Sequence, residues 1–397
     1  MLVVTALTLI GLMGGIMASQ LRGFRLGGVI IVPLFAVYTL RSFGTFPVLM
    51  MSVIGGYVSV WIVKRRLLLY GRMMFIVAIV ASALVPLGVY VLINLGAGPQ
   101  GVIDQLGFIG SVLPGIAVYN FHRLSEEKRV LDAVWSMALL LFLVVVGIGL
   151  VILVGLTPLS TVTPPVLLGP DSDIARAFGL QLENAARPTI LPFPSELGML
   201  GLGLFISEGI RSRWGLRTAG LIVLPLLVLF AFRNGWLLAT YILAATAAYV
   251  GIQLLHRWTL VYGRVLLSMG VSFGLLTVIS VVPTLPISNG LLPFFTGVLG
   301  GVGAYNLHAV APAERRASLL VSTGVFVVLA GIGRVFLTPL PEGILTQIGG
   351  LHLFIGGVLV ALAGWEAYKI EKIYPSGLTP VLTGWESGET GAEGNRL

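Results

Sequence analysis

The sequence contains no cysteine among its 397 residues. That excludes disulfides, thiolate metal sites and a cysteine nucleophile. Charge is also scarce. Only 10% of residues are Asp, Glu, Lys or Arg, whereas 57% are hydrophobic. A soluble domain carries roughly 25% charged residues, so these few charges cannot coat a water-facing surface on a chain of this size. Catalytic constellations are lacking too. There is no phosphate-cradling loop ending in Gly-Lys-Ser/Thr, no His-Glu-x-x-His and no carboxylate cluster, and each of the four histidines stands apart from acidic neighbours. Gly201-Leu202-Gly203 falls inside an apolar run and is not a dinucleotide loop. No catalytic residue, metal site or cofactor is therefore expected.

What is present is apolar length. Phe75 to Leu95 has no charge, and Val130 to Gly155 has Asp132 alone, at its start. About 20 apolar residues suffice for a helix to cross the hydrocarbon core. The run from Met1 to Gln20 has no Lys or Arg before it, unlike a cleaved signal, and is expected as a retained first helix. The expected fold is an all-α integral membrane protein of about thirteen spans. Six lie near 2–21, 27–43, 45–63, 73–95, 106–121 and 130–155. Six more lie near 196–212, 216–232, 235–255, 265–283, 291–308 and 317–336, and a last one near 346–368. Between the two sets, the Pro-rich stretch 156–194 reads as an extramembrane linker. The polar tail, 371–397, reads as disordered from Pro375 onward.

The net charge of +8 is assigned to membrane topology rather than to nucleic acid. With the N-terminus placed outside, every basic residue except Arg41, Arg176, Arg187, Arg233 and Arg334 falls on the inner side. This asymmetry predicts an N-out, C-in protein of the cell membrane. Trp61, Trp258 and Trp365 fall near the inner boundary as interfacial anchors.

The two halves repeat. Adding 192 takes Gly23 to Gly215, Arg25 to Arg217, Gly28 to Gly220, Pro33 to Pro225, Arg41 to Arg233 and Tyr57 to Tyr249. The same shift takes Tyr70-Gly71-Arg72 to Tyr262-Gly263-Arg264. A shift of 186 then takes Tyr119, Asn120 and His122 to Tyr305, Asn306 and His308. Glu127-Lys128-Arg129 meets Glu314-Arg315-Arg316, and Thr157-Pro158 meets Thr338-Pro339. Six spans per copy is an even number, so the copies share one orientation, as in a fused dimer. The division expected is a first repeat at 1–155, the linker, a second repeat at 195–340, an extra helix at 341–370 and the tail.

Candidate functional residues follow from position. Arg41 and Arg233 sit at the outer ends of apolar segments, against the inward bias. They would bind an anionic group in a shared cavity or snorkel to the interface. Arg72 and Arg264 enter helices from basic loops and are suited to carboxylate or phosphate, or else to lipid headgroups. Pro114, Gly115, Tyr119, Asn120 and His122, with Tyr305, Asn306 and His308, form polar clusters on Gly-rich segments. These would line a path through a loosened helix or serve close helix packing. Glu208 has Arg211 one turn away and is the one acidic residue with a conceivable proton-coupling role.

Each half resembles the small membrane subunit of the poly-gamma-glutamate synthase complex, the PgsC or CapC capsule-biosynthesis family. In the first half the resemblance rests on Gly27-Gly28 through Pro33, Leu69-Tyr70-Gly71-Arg72, and Ile109-Gly110 through Pro114-Gly115-Ile116-Ala117 and Asn120. In the second it rests on Gly220, Pro225 and Tyr262-Gly263-Arg264. Family members have one such unit, so the tandem copy and the last span are departures. The resemblance implies a non-catalytic subunit with a scaffold or conduit role in synthesis and export of an anionic polymer. It also implies two partners, an ATP-dependent poly-gamma-glutamate ligase and a surface-exposed capsule subunit. An independent transporter of a small anion is the alternative. A membrane enzyme acting on lipid-linked substrates would need convergent acid, base or metal ligands, and none is found.

Overall fold

The computed structural model describes residues 1–67, 71–92, 101–182, 193–287 and 290–373. The described residues fold into helices joined by turns and short extended segments, with no strand among them. The first repeat comprises α1 (Leu2–Arg22), α2 (Ile31–Arg41), α3 (Thr45–Leu67), α4 (Gly71–Leu92), α5 (Gly101–His122) and α6 (Glu126–Gly155). A six-residue helix in the linker, α7 (Asp173–Phe178), precedes the second repeat. This runs α8 (Phe193–Trp214), α9 (Val223–Arg233), α10 (Trp236–Thr259), α11 (Arg264–Val281), α12 (Leu291–His308) and α13 (Arg315–Phe336), and α14 (Gly350–Ile373) follows. Apart from α7, the helices answer the expected spans one for one. Eight of them, among the described residues, are long and apolar enough to cross a membrane. Together with the long apolar faces left exposed, they make this an all-α membrane protein. Residues 183–192 of the linker, Tyr70 and the tail from 374 lie outside the described residues.

Two of the expected spans need correction. The segments 27–43 and 216–232 are not continuous helices. Their helical parts, α2 and α9, have 11 residues each. At 1.5 Å per residue that is about 16 Å, half of a hydrocarbon core. The remainder is non-helical backbone, because Leu26, Gly27 and Gly28 take positive φ angles (49°, 60° and 118°), and Gly215 and Gly220 do the same. A mean hydropathy registers that these residues are apolar but not that their backbone leaves the helical region. Both short helices are apolar all round and buried almost throughout, as a helix at the centre of a bundle must be. Non-helical backbone is tolerated at membrane depth only where protein surrounds it.

Around each short helix the chain builds the same arrangement. In the first repeat α3, α4 and α5 form a tight trio, and α1 and α6 pack on α2; α10–α12, α8, α13 and α9 repeat the pattern. The two repeats meet reciprocally. Helix α4 of the first packs on α8 of the second, and α11 of the second packs on α1 of the first. Since α1 corresponds to α8 and α4 to α11, this swap is the signature of a two-fold relation. Parallel copies are related in this way by an axis along the membrane normal.

Helix α14 lies outside both repeats. It packs on α13, where Gly324 lets Ala363 approach. Its last turns are tied to the second repeat by Arg213–Glu371 and by Glu366 with Arg316 at 3.7 Å. Most of its other residues are exposed, among them Leu351, Leu353 and Phe354, which a lipid solvent accepts. These ion pairs put the C-terminal end of α14 on the same face as Arg213 and Arg316, which we term the basic face. Trp61 and Trp365 on this face carry Arg65 and Lys369 over their rings at 3.8 and 5.7 Å.

Candidate functional site

The broken segments have buried backbone groups to satisfy, and each repeat does so differently. In the first, the fully buried Asp132 carboxylate of α6 accepts from the N–H of Arg25 (2.6 Å), Leu26 (2.9 Å) and Gly27 (3.4 Å). The Gly27 carbonyl accepts from Asn120 Nδ2 at 3.2 Å. In the second, Asn306 Nδ2 donates to the Ala219 carbonyl at 2.8 Å. Hydroxyls replace the carboxylate. Ser322 Oγ accepts from the Ala219 N–H at 2.8 Å, and Ser318 Oγ donates to the Arg217 carbonyl. Shifted by 186, Asp132 falls on Ser318 and Ser136 on Ser322. Asn120 and Asn306 therefore clamp the broken spans to α5 and α12.

The neighbours of those asparagines also act in packing. Gly115 of α5 sits against the α4 backbone at Ile79, and Gly301 of α12 against the α11 backbone at Gly270 and Val271. Pro114 is buried inside α5. His122 stacks on Tyr57, with ring centres 4.4 Å apart, and its Nε2 lies 3.2 Å from the Tyr57 carbonyl. His308 instead meets His256 edge-on at 5.1 Å, at a position where the first repeat has Lys64. Sequence reasoning did not single out Arg129 and Arg315. Arg129 donates to the Leu124 carbonyl (3.1 Å) and the Tyr57 hydroxyl (3.4 Å). Arg315 donates to the Val310 carbonyl (3.0 Å) and the Tyr249 hydroxyl (3.2 Å). Holding the 186 shift through the basic run, instead of pairing Glu127 with Glu314, would have matched them.

The repeat junction on the basic face collects arginines. Arg72, in the first turn of α4, pairs at 2.7 Å with Glu208 of α8 across the junction. Glu208 thus turns to the other repeat and not to Arg211. Arg217 is close enough to Arg72 to repel it, and Tyr119 lies beside it. Arg264, in the first turn of α11, reaches the non-helical segment after α1 and donates to the Phe24 carbonyl at 3.4 Å. Its electrostatic neighbours are Arg123, Asp132 and Tyr305, while Arg123 also lies over the Tyr119 ring at 5.8 Å. Four arginines and two tyrosines, from both repeats, are thus linked across the junction, and its carboxylate Glu208 pairs with Arg72.

Arg41 and Arg233 mark the opposite ends of α2 and α9. Each lies beneath the segment that follows its repeat's last helix. Asp171 is the acidic neighbour of Arg41, and Asp173 accepts from the Phe43 N–H at 2.9 Å. Glu342 is the acidic neighbour of Arg233 and accepts from Asn234 at 3.0 Å. Arg41 is 5% exposed, and its Nε and Nη1 have no hydrogen-bond partner. A buried cation held so poorly costs stability, because hydrogen bonds do not repay its desolvation. Arg41→Met is therefore expected to raise the unfolding temperature of the purified protein in detergent. Loss of activity in cells from that more stable variant would identify Arg41 as a ligand-contacting residue, and unchanged activity would leave it a structural residue.

Among the described residues no three His, Asp or Glu side chains gather as a metal site. The molecule is thus a duplicated polytopic membrane protein, with paired broken spans and a basic junction between its copies. The model of the capsule biosynthesis CapC family matches it twice, over residues 10–130 and 202–316. Those matches cover more than half of the chain, which belongs to the CapC family and so to capsule biosynthesis. No curated protein and no solved structure matches it.

Proposed function

We propose that the chain is a non-catalytic membrane subunit of a capsule-polymer synthesis and export complex. It works beside an ATP-dependent amide ligase of the poly-gamma-glutamate type and a surface-exposed subunit. The observation that carries this reading is the junction of Arg72, Arg123, Arg217 and Arg264. Arginine forks match carboxylates, and a basic face raises the local concentration of a polyanion. On this reading the basic face is cytoplasmic, where ATP and a ligase are found, and the N-terminus is outside.

The test is co-purification in mild detergent from native membranes, with mass spectrometry of what accompanies the chain. A stoichiometric ATP-dependent ligase is expected; a chain recovered alone would end this reading. Orientation has its own test, which the absence of cysteine makes simple. Ser125→Cys, exposed between α5 and α6, should react with a membrane-impermeant maleimide only in opened cells. Thr161→Cys, exposed in the linker, should react in intact cells. The reverse pattern would invert the topology.

One observation favours a second reading, an independent transporter of a small anion. The broken spans place the N-terminal ends of two half-helices inside the protein, as transporters do at substrate sites. Anion flux into liposomes containing only this chain would support it.

A further inference from the structure

The two-fold relation makes the junction arginines a matched pair, but their surroundings differ: Arg123 beside Arg264 answers to Ala309, Asp132 answers to Ser318, and the carboxylate at Arg72 has no counterpart. The position that supplies Glu208 in the second repeat supplies Ile16 in the first, 192 residues earlier. Arg72 consequently meets a carboxylate at 2.7 Å. Arg264 meets none within ion-pair distance among the described residues, and its bond to the Phe24 carbonyl is long at 3.4 Å. Asp132, the acid nearest to Arg264, has both oxygens engaged by the backbone N–H groups of residues 25–27. Arg123 adds positive charge beside Arg264, and Tyr305 lies close to both Arg264 and Arg217. Arg264 is half-buried, whereas Arg123 and Arg217 are exposed on the basic face, so a ligand can reach the group from that side.

We propose that the junction holds a single carboxylate-binding site per chain, centred on Arg264, and that Glu208 is a built-in carboxylate occupying the equivalent place at Arg72. The twin position shows which ligand chemistry fits: one carboxylate, taken by an arginine with a second arginine and a tyrosine beside it. Duplication therefore made two copies of a site and Glu208 closed one. The open copy takes the carboxylates of an acidic chain from the basic face. This rests on the reading above for the identity of the acidic chain, but not for the existence of the site.

The experiment uses the full chain in nanodiscs of zwitterionic lipid and a fluorescein-labelled hexaglutamate, read by anisotropy. A hydrogen-bonded charge pair is worth about 1.5–3 kcal/mol, or roughly tenfold or more in affinity. Arg264→Gln should weaken binding by about that factor. Glu208→Gln should tighten it by about the same factor, because Arg72 becomes available and one hexaglutamate then engages both arginines. Arg72→Gln combined with Glu208→Gln should return affinity to within about threefold of the unmutated protein, since the twin site is then removed as a whole. Gel filtration of each variant checks that it remains folded. Arg264→Gln without loss, or Glu208→Gln without gain, overturns the proposal. So does binding that vanishes when anionic lipid replaces a tenth of the zwitterionic lipid and is indifferent to Glu208→Gln, which would assign Arg264 to headgroup phosphate. A chain that purifies without a ligase yet binds hexaglutamate in this pattern would remove the synthase reading and leave the site standing.

Discussion

Asp132→Ala should be the most destabilising single substitution in the first repeat, with a loss of at least about 3 kcal/mol. The side chain is fully buried and accepts from three consecutive backbone N–H groups. Each buried donor left without an acceptor costs about 1–3 kcal/mol, and lipid on the far side of the bundle offers none. The broken span is also the route by which α2 reaches the centre of the repeat, so the damage would spread to α1 and α6. Thermal unfolding in detergent, followed by circular dichroism, should show a fall in midpoint that Asp132→Asn only partly reproduces. The amide keeps one acceptor oxygen and turns a donor toward the Gly27 N–H. Ser318→Ala is the internal comparison. It removes one hydroxyl bond to the Arg217 carbonyl and should cost about 1 kcal/mol. If Asp132→Ala lost no more than Ser318→Ala, the carboxylate would not be what holds the first broken span.

That comparison also shows where sequence reading stopped. Asp132 stood out only as the one acid at the head of a long apolar run, and its partners lie more than a hundred residues earlier in the chain. Nothing local marks a carboxylate as an acceptor for distant backbone. The duplication, by contrast, was legible, because identical residues at constant offsets need no contacts to be seen. The helix count came from the apolar runs, and the shared orientation and the matched arginines from the duplication. The same offsets put Ile16 opposite Glu208, but the pairing with Arg72 depends on α4 meeting α8 across the two-fold relation, which periodicity does not encode. Arg41 and Arg233 were legible as equivalent charges. The acids that cover them lie in segments that read as linkers, since Asp171 and Glu342 belong to stretches with no apolar pattern. The broken spans were misread because Gly27-Gly28 and Gly220 carry their information in backbone angle.

Gly115→Ala and Gly301→Ala carry the second large effect, and they connect packing to the junction. A Cβ on Gly115 would stand 2.5 Å from Ile79 Cα and 2.9 Å from the Ala78 carbonyl oxygen; on Gly301 it would strike Val271 Cα and the Gly270 carbonyl. These are backbone atoms, which cannot rotate aside, so the helices must separate. Overpacking of this kind costs about 1–3 kcal/mol. Membrane helices lack a hydrophobic drive for association and depend on such close approach. Gly149→Ala in α6 is the control, because nothing lies within 4 Å of its added carbon and alanine favours a helix by about 0.5–1 kcal/mol. Each crowded glycine lies four and five residues before the tyrosine and asparagine of its junction, Tyr119 and Asn120 or Tyr305 and Asn306. Separation of α5 from α4 would move Tyr119 beside Arg72, and separation of α12 from α11 would move Tyr305 beside Arg264. Both variants should therefore unfold at lower temperature, but Gly301→Ala should weaken hexaglutamate binding more than Gly115→Ala, because the site at Arg72 is already filled by Glu208 and α5 reaches the open site only through Arg123. Equal losses of binding from the two substitutions would mean that the repeats serve the ligand alike, and that Glu208 does not divide them.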